Sequence, residues 1–450
     1  MGWNGNWWSS SPYDDGAWER NVNLGDSGIN RDWNYLENGN SARCVWDLIR
    51  RIELNNIILK EEKGDISLND VFRAYYQCRK NKRNKLEYLE FDLDYERNLI
   101  KLWEEIKREV YKIEPSSVFI VDKPVKREIC AASFKDRIVH HLIVLKLGPL
   151  FEKEFIDDSY SCRVGKGTHY GVKRLDKHIR RVSNNYQKES YVLKLDIKGY
   201  FMSINKKILL SKLEKFINDN YRGNDKSKIL WLCQLVICNE ITKNCIFKSS
   251  RKRWDGLPKS KSLFCAKENC GLAIGNFTSQ VFSNFYMSSF DHFVKSKLNV
   301  KHYGRYVDDF FLVSNSKEEL KENIPKIKHF LREELELELH PKKVYLQNVN
   351  KGIEFLGAYI KPWRIYITPR IKNNFYLTIR ELDKYFDRKD LYYDEGLKIR
   401  EKLNSYLGIA SHYDTYKLKK KFLGKLNSSF YNYFRIPNWA KKVIMKGCFK

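Results

Sequence analysis

The sequence predicts an α+β protein in which a mixed sheet carrying acidic residues lies between two helical regions. Three observations point there. Helical periodicity fills the chain before about residue 112 and after about residue 366, short β-rich segments crowd the middle, and one such segment ends on Asp196 while a turn between two others carries Asp308 and Asp309. No internal repeat interrupts this order.

A chain of 450 residues can bury a large core and should divide into two or three subdomains. Hydrophobic residues at 42% and aromatics at 14% exclude a disordered polymer. Lys and Arg number 83 against 56 Asp and Glu, a net charge of +27. That surplus exceeds what solubility requires and is the electrostatic footprint of a nucleic-acid binder. No stretch approaches the ~20 apolar residues of a membrane span, and the N-terminus lacks the basic-then-apolar pattern of a secretory signal. Ten cysteines without a dense framework suit reduced thiols in a cytosol. Cys233, Cys238, Cys245, Cys265 and Cys270 cluster, but their gaps are too loose for zinc-type pairs, so free thiols are expected.

Residues 1–45 hold eight Asn, five Trp and many Gly and Ser, with no sustained helical or alternating pattern. From Val45 the texture becomes amphipathic helix, with Leu48, Ile49, Ile52, Ile57 and Ile58 at helical spacing. Ser67, Asp70 and Val71-Phe72 form a cap-like start to another helix. A third, Tyr95 to Tyr111, sets Leu99, Leu102, Trp103, Ile106 and Val110 on one face. Val118–Val121 and Tyr191–Leu195 read as strands, the second running into Asp196. Lys301–Ser314 reads as a hairpin turning at Val307-Asp308-Asp309, followed by a helix over Glu318–Leu335 and a strand over Ile353–Ile360. Basic amphipathic helices, including Ile371–Phe386 and Leu397–Leu407, fill the rest. The expected divisions are 1–45, an Asn/Trp-rich segment; 46–112, a helical extension; 113–365, the β-rich body; and 366–450, a basic helical region.

Two adjacent carboxylates between hydrophobic strands are costly unless positive charge compensates them. Asp is also a common turn residue, so Asp308-Asp309 alone leaves an ordinary hairpin open. The strand ending on Asp196 shifts the balance. Nucleotidyl transfer to a 3′ end needs two divalent ions ~3.5–4 Å apart, one activating the hydroxyl and one holding the triphosphate. Hard cations of this kind take carboxylate oxygens presented from adjacent strands.

The ordered series Leu-Asp-Ile-Lys-Gly-Tyr-Phe (195–201), Ile-Gly-Asn-Phe-Thr-Ser-Gln (274–280), Tyr-Val-Asp-Asp (306–309), His-Pro-Lys-Lys (340–343) and Phe-Leu-Gly (355–357) resembles the palm motifs of reverse transcriptases. The match runs from about Val118 to Ile360, with thumb-like helices after it. The resemblance implies a right-hand polymerase fold of fingers, a palm with an antiparallel sheet, and a helical thumb. It implies that Asp196 and Asp308 ligate two Mg2+ ions, with Mn2+ as a possible substitute and Asp309 as their companion. Phe201 matches the bulky gate against the sugar of the incoming nucleotide, although core packing is its other reading. Lys342 or Lys343 matches the basic residue that neutralises the leaving pyrophosphate, with Lys342 preferred. Arg127 and Arg137 match finger arginines that grip triphosphate, a task suited to the paired donors of a guanidinium. Arg163–Gly167 could approach template backbone, but as a glycine pattern it is weak.

One departure narrows the family. Most members have Gln-Gly where this chain has Ile274-Gly275, and Ile-Gly-x-x-x-Ser-Gln, ending on Gln280, resembles the reverse transcriptases of diversity-generating retroelements. That resemblance implies copying of a template-repeat RNA into cDNA from dNTPs, with misincorporation opposite adenines. A Gln could hydrogen-bond the incoming sugar, whereas Ile274 cannot, and a contact worth ~1.4 kcal/mol is a factor of ten in selectivity. The implied partner is a small basic helical accessory protein that assembles as a ring, in a bacterial or phage-encoded cytoplasmic setting. Residues 1–44 resemble the end of a lectin-like diversified domain and read as an in-frame translation of the template repeat, the alternative being an aromatic-rich recognition tail. The rival readings are a retron, group II intron-like or defence-associated reverse transcriptase, and, from another class, a catalytically silent RNA-binding scaffold. The chain ends at Lys450 with no Cys/His-rich nuclease segment.

Overall fold

The computed structural model describes residues 65–80, 86–122, 125–386, 391–437 and 441–447, together with the backbone of three strands before them. The chain divides into two compact units, Met1–Lys112 with Arg222–Lys228, and Ile113–Tyr221 with Ile229–Lys450.

In the first unit β1 (Asn4–Tyr13), β2 (Gly16–Asn23) and β3 (Ile29–Tyr35) form an antiparallel meander. The sequence shows no alternating pattern here, yet strands form, because the ladder is made by backbone groups and aromatic residues favour extended backbone. Pro12, which cannot donate to a ladder, sits on β1 at the sheet edge, where the register also shifts. The helix expected from Val45 lies outside the described residues. Helices follow over Leu68–Arg79, Leu86–Asp92 and Tyr95–Lys107. Ser67 caps the first reciprocally: its hydroxyl accepts from the Asp70 N–H, and the Asp70 carboxylate accepts from the Ser67 N–H. The Tyr95 helix buries Leu99, Leu102, Trp103 and Ile106 but stops short of Val110, which is 58% exposed. Glu109 has φ +56, and the N–H groups of Val110 and Tyr111 both return to the Glu105 carbonyl, which closes the helix.

The second unit is α+β. β4 (Ser116–Val121) and β5 (Arg127–Ala131) pair antiparallel, and β7 (Cys245–Phe247) joins β4 in parallel. A four-stranded antiparallel sheet, ordered β10-β6-β9-β8, is built from β6 (Tyr191–Asp196), β8 (Tyr303–Tyr306), β9 (Asp309–Ser314) and β10 (Tyr345–Asn348). β9 is covered on both faces. Phe311 and Val313 pack with Val172, Leu175 and Ile179 of the Thr168–Val182 helix, while the Phe310 ring meets Phe290 at 5.1 Å. An uninterrupted apolar run, Phe310-Phe311-Leu312-Val313, therefore suits a central strand.

The segment expected as one strand, Ile353–Ile360, is a hairpin. β11 (Ile353–Phe355) and β12 (Ala358–Lys361) turn at Leu356-Gly357, both with positive φ, and β13 (Arg364–Ile367) completes a three-stranded sheet. The Pro369–Phe386, Tyr393–Ala410 and Tyr416–Leu423 helices share a separate core around Phe375, Leu403, Leu407, Phe422 and Phe430. Among the described residues no helix is long and apolar enough to cross a membrane.

Beneath the β8–β9 turn lies a buried ion pair. Arg305 and Asp291 are both 0% exposed and meet through two bonds, Nε to Oδ1 at 2.7 Å and Nη2 to Oδ2 at 2.6 Å. Arg305 Nη1 also donates to the Val307 carbonyl (2.9 Å) and the Asn284 side chain (3.1 Å), and the Tyr303 hydroxyl donates to Asp291 at 2.6 Å. Burial disfavours the guanidinium charge, but Asp291 more than offsets this and holds the Arg305 pKa above its ordinary value. Removing one partner would strand a buried charge. Asp291→Ala should therefore cost about 3–5 kcal/mol in denaturant unfolding, and Arg305→Met with Asp291→Leu should cost clearly less than that single change. Equal losses in both variants would count against a paired-charge origin.

Candidate active site

Register brings the predicted aspartates together. Asp196, at the end of β6, stands opposite Asp309, the first residue of β9, and Asp309 pairs in turn with Tyr306 of β8. Asp308 lies in the two-residue loop between β8 and β9. Its neighbour Val307 has φ +58, a conformation that costs a β-branched residue about 1–3 kcal/mol. The Arg305 bond to the Val307 carbonyl holds that turn from below.

The carboxylates are half-buried and close enough to oppose one another's ionisation. Burial pushes Asp308 up to about 6, with the Asp196 charge adding to the effect and Lys343 and Arg127 opposing it. Burial likewise pushes Asp309 up to about 7, partly offset by Lys194, with Asp308 and Asp196 raising it further. Asp309 Oδ1 is buried without a hydrogen-bond partner. A half-buried cluster of carboxylates with an orphaned oxygen is the donor set that a hard divalent cation takes. Asp196, Asp308 and Asp309 are the residues that would hold it. Among the described residues no three such side chains already converge into a coordination group. Instead Lys343 Nζ bonds Asp196 Oδ2 at 2.8 Å, so a cation would have to draw Asp196 away from Lys343.

Of the adjacent lysines it is Lys343 whose ammonium reaches Asp196. Both side chains are exposed; Lys342, preferred from sequence, bonds His340 through its backbone N–H. Periodicity cannot choose between neighbours, whereas the pairing of Ile197 with Leu339 and the bond from His340 N–H to the Asp196 carbonyl set which one reaches Asp196. Arg127 opens β5 and is exposed, with its charge felt at Asp308. Arg137 Nε donates to the Ala132 carbonyl at 2.8 Å, which ties that side chain to the turn after β5. Phe201 is half-buried in the short Tyr200–Ser203 helix beside the Tyr200 ring, and its carbonyl accepts from the Leu272 N–H.

The Ile274 carbonyl accepts from the Cys130 N–H at 2.8 Å, and Gly275 follows at φ +127. A Cβ on Gly275 would lie 3.0 Å from both the Cys130 carbonyl oxygen and Ile129 Cγ2, so only glycine fits this crossing. Gln280 is exposed and accepts from the Cys162 thiol. Arg163 is occupied within the fold, bonding Glu152 and the carbonyls of Ile156 and Ser159, which leaves Arg163–Gly167 without its arginine for a template. Sequence reasoning passed over Glu128. It is buried beside Arg127 and accepts from Trp254 Nε1, the Ser262 hydroxyl and the Leu263 N–H, fastening a basic segment to β5. A buried Glu has no local sequence signal.

A carboxyl whose folded pKa is raised weakens the fold above its unfolded value, fully so above the folded one. Asp309→Asn in metal-free protein should therefore raise the melting temperature at pH 8, and the gain should fade as pH falls from about 7 toward 4. Magnesium should stabilise the unsubstituted protein and have less effect on the variant. A gain independent of pH would refute the charge-crowding account.

The family described as reverse transcriptase (RNA-dependent DNA polymerase) matches residues 121–360, more than half of the chain. No curated protein matches. Among solved structures, apo telomerase from Candida tropicalis truncated from its C-terminal domain is 16% identical, with 60% of each chain covered and a TM-score of 0.42. Apo telomerase from Candida tropicalis is 14% identical over 70% of this chain and 59% of its own, with a TM-score of 0.44. Telomerase from Candida albicans in complex with a TWJ fragment of telomeric RNA is 13% identical over 73% and 56%, with a TM-score of 0.43. This chain spans 56% to 60% of the length of those structures, and at such similarity none bears on its substrate or partners. The match to residues 121–360 is to the region that contains the Asp196–Asp309 register and the Asp308 turn, and the chain belongs to the reverse transcriptase family.

Proposed function

We propose that the protein is an RNA-directed DNA polymerase that copies a template-repeat RNA into cDNA by two-metal nucleotidyl transfer, with errors concentrated at template adenines. The observation that carries the polymerase reading is the register that sets Asp196 opposite Asp309 with Asp308 in the adjoining turn. Magnesium, when bound, supplies the Lewis acid that makes the 3′ hydroxyl nucleophilic and stabilises the charge on the transferring phosphate. Asp196 and Asp308 would hold it, with Asp309 as a third carboxylate. Arg127 and Arg137 grip the triphosphate. Phe201 lies against the sugar and excludes a ribose hydroxyl. With a cation held there, Lys343 would be freed from Asp196 and its ammonium would be available to neutralise the leaving pyrophosphate.

The finer assignment rests on Ile274-Gly275 and Gln280. Ile274 offers the incoming sugar no hydrogen bond, so a mispaired nucleotide loses less relative to a correct one. In this reading residues 113–365 are fingers and palm, 366–450 the thumb and 46–112 a helical extension. Residues 1–45 are a translated copy of the template repeat, which predicts a near-copy differing at adenines in neighbouring DNA. A basic ring-forming accessory protein and the template-repeat RNA are the partners.

Primer extension on an RNA template with magnesium should fall about 100-fold or more in Asp308→Ala. Equal activity in variant and parent would remove the polymerase reading. Sequenced cDNA should carry its errors opposite adenines, and an even spread over four template bases would point to a retron-like or intron-like enzyme instead. Ile274→Gln should raise fidelity, lowering the error rate by up to about tenfold. An unaltered error spectrum would discard this role for Ile274.

A further inference from the structure

We propose that the outer face of the β12–β13 hairpin, with residues 413–421, is a second nucleic-acid site that takes a single-stranded stretch of RNA outside the three-aspartate centre. The groove has a volume of about 1140 Å³, above the ~300–1,000 Å³ usual for small-molecule pockets, as suits a polymer segment. The three aspartates do not line it.

Strand alternation sorts β12. Ala358 and Ile360 enter the core, which turns Tyr359 and Lys361 to the groove. The register then sets Tyr359 opposite Tyr366 and Lys361 opposite Arg364. Like charges directly opposite on one face destabilise a hairpin, so Lys361 and Arg364 are arranged for an anion. Lys372, Lys417, Lys419 and Lys421 add to the same wall. Asp414, the one acidic lining residue, has its carboxylate engaged by the Ile365 N–H at 2.9 Å.

The aromatic residues say which anion. Pro362-Trp363 forms the β12–β13 turn, and Trp363 is held at φ +67, where glycine or asparagine would be relaxed. Its ring is nevertheless 61% exposed, backed by the Arg180 guanidinium at 5.2 Å and the Tyr186 ring at 5.4 Å. Tyr416 in the same groove is 57% exposed. A strained, exposed indole braced from behind is a platform awaiting a flat partner. Cations tracking a backbone beside aromatic platforms are the physical signature of single-strand binding, because unpaired bases offer faces that a duplex conceals. An acidic peptide would use the lysines and leave the rings idle. The choice of RNA over DNA rests on the proposed template.

The test uses the full chain in EDTA without nucleotides, so failed polymerisation cannot be mistaken for failed binding. Fluorescein-labelled oligouridylate is titrated in the presence of excess unlabelled primer–template duplex that fills the catalytic cleft. Lys361→Glu with Arg364→Glu should weaken binding at least tenfold and reduce the salt slope by about 1.4, roughly 0.7 per phosphate contact. Trp363→Gly, which relieves the positive φ of the turn and in part offsets the lost ring contacts, should weaken binding about tenfold with the slope unchanged and circular dichroism like the parent's. Trp363→Phe should retain most of the affinity. Parental binding by both the charge and glycine variants would overturn the proposal. So would poly-glutamate displacing the RNA as well as unlabelled oligouridylate does, since that outcome marks an acidic-peptide site.

Discussion

In an antiparallel sheet a slip of one residue turns every side chain to the opposite face, so the β6–β9 register governs both the core and the carboxylate cluster. Leu195 lies opposite Phe310, and both are buried; the next pair along is Asp196 and Asp309. Shifting β6 by a single position would carry Asp196 toward buried aromatic rings and expose the apolar residues of that strand. Packing energy, distributed over Val192, Leu193, Leu195 and the four buried residues of β9, therefore enforces an arrangement that electrostatics alone would resist.

That resistance is met by cations from several directions. Lys343 bonds Asp196, Lys194 lies near Asp309 while its ammonium donates to the Glu354 carbonyl, and the charge of Arg127 reaches Asp308. None of these is buried deeply enough to be a permanent counter-ion. The contrast with Arg305 is instructive, because its donors are spent on Asp291, Asn284, Ser159 and the Val307 carbonyl. One layer of positive charge is locked and holds the turn in a strained shape. The other lies nearer to solvent. Asp158 extends the locked layer: burial opposes its ionisation, but His178 and Arg174 keep its carboxyl below the usual range, and its backbone carbonyl accepts the Arg305 N–H.

Much of the site was legible because it is local. Asp196, Asp308 and Asp309 each stand at the edge of an apolar run, and the strand ends that present them could be read from alternation and turn chemistry. What escaped was pairing across sequence distance. Asp291 lies 14 residues from Arg305, on a different element, and no periodicity marks the two as partners. Glu128 finds Trp254 and Ser262 more than a hundred residues away. The Ile353–Ile360 stretch failed for another reason: Leu356 shows no turn preference, and the single glycine after it reads equally well as a bulge. The three strands β1, β2 and β3 formed without the apolar alternation on which strand recognition depends.

The scaffold around Ile274 does not depend on its side chain. Its contribution to the fold is a main-chain carbonyl bonded to Cys130, and the adjacent crossing depends on Gly275 having no Cβ. Asn276 then fixes the next step through its side-chain oxygen, which accepts from the Ala132 N–H at 3.1 Å. Three successive residues are thus tied to β5 and the turn after it, two through their own groups and one through the lack of a side chain. None of those ties depends on the Ile274 side chain. A different side chain at that one place would leave β5, and Arg127 at its start, where they are.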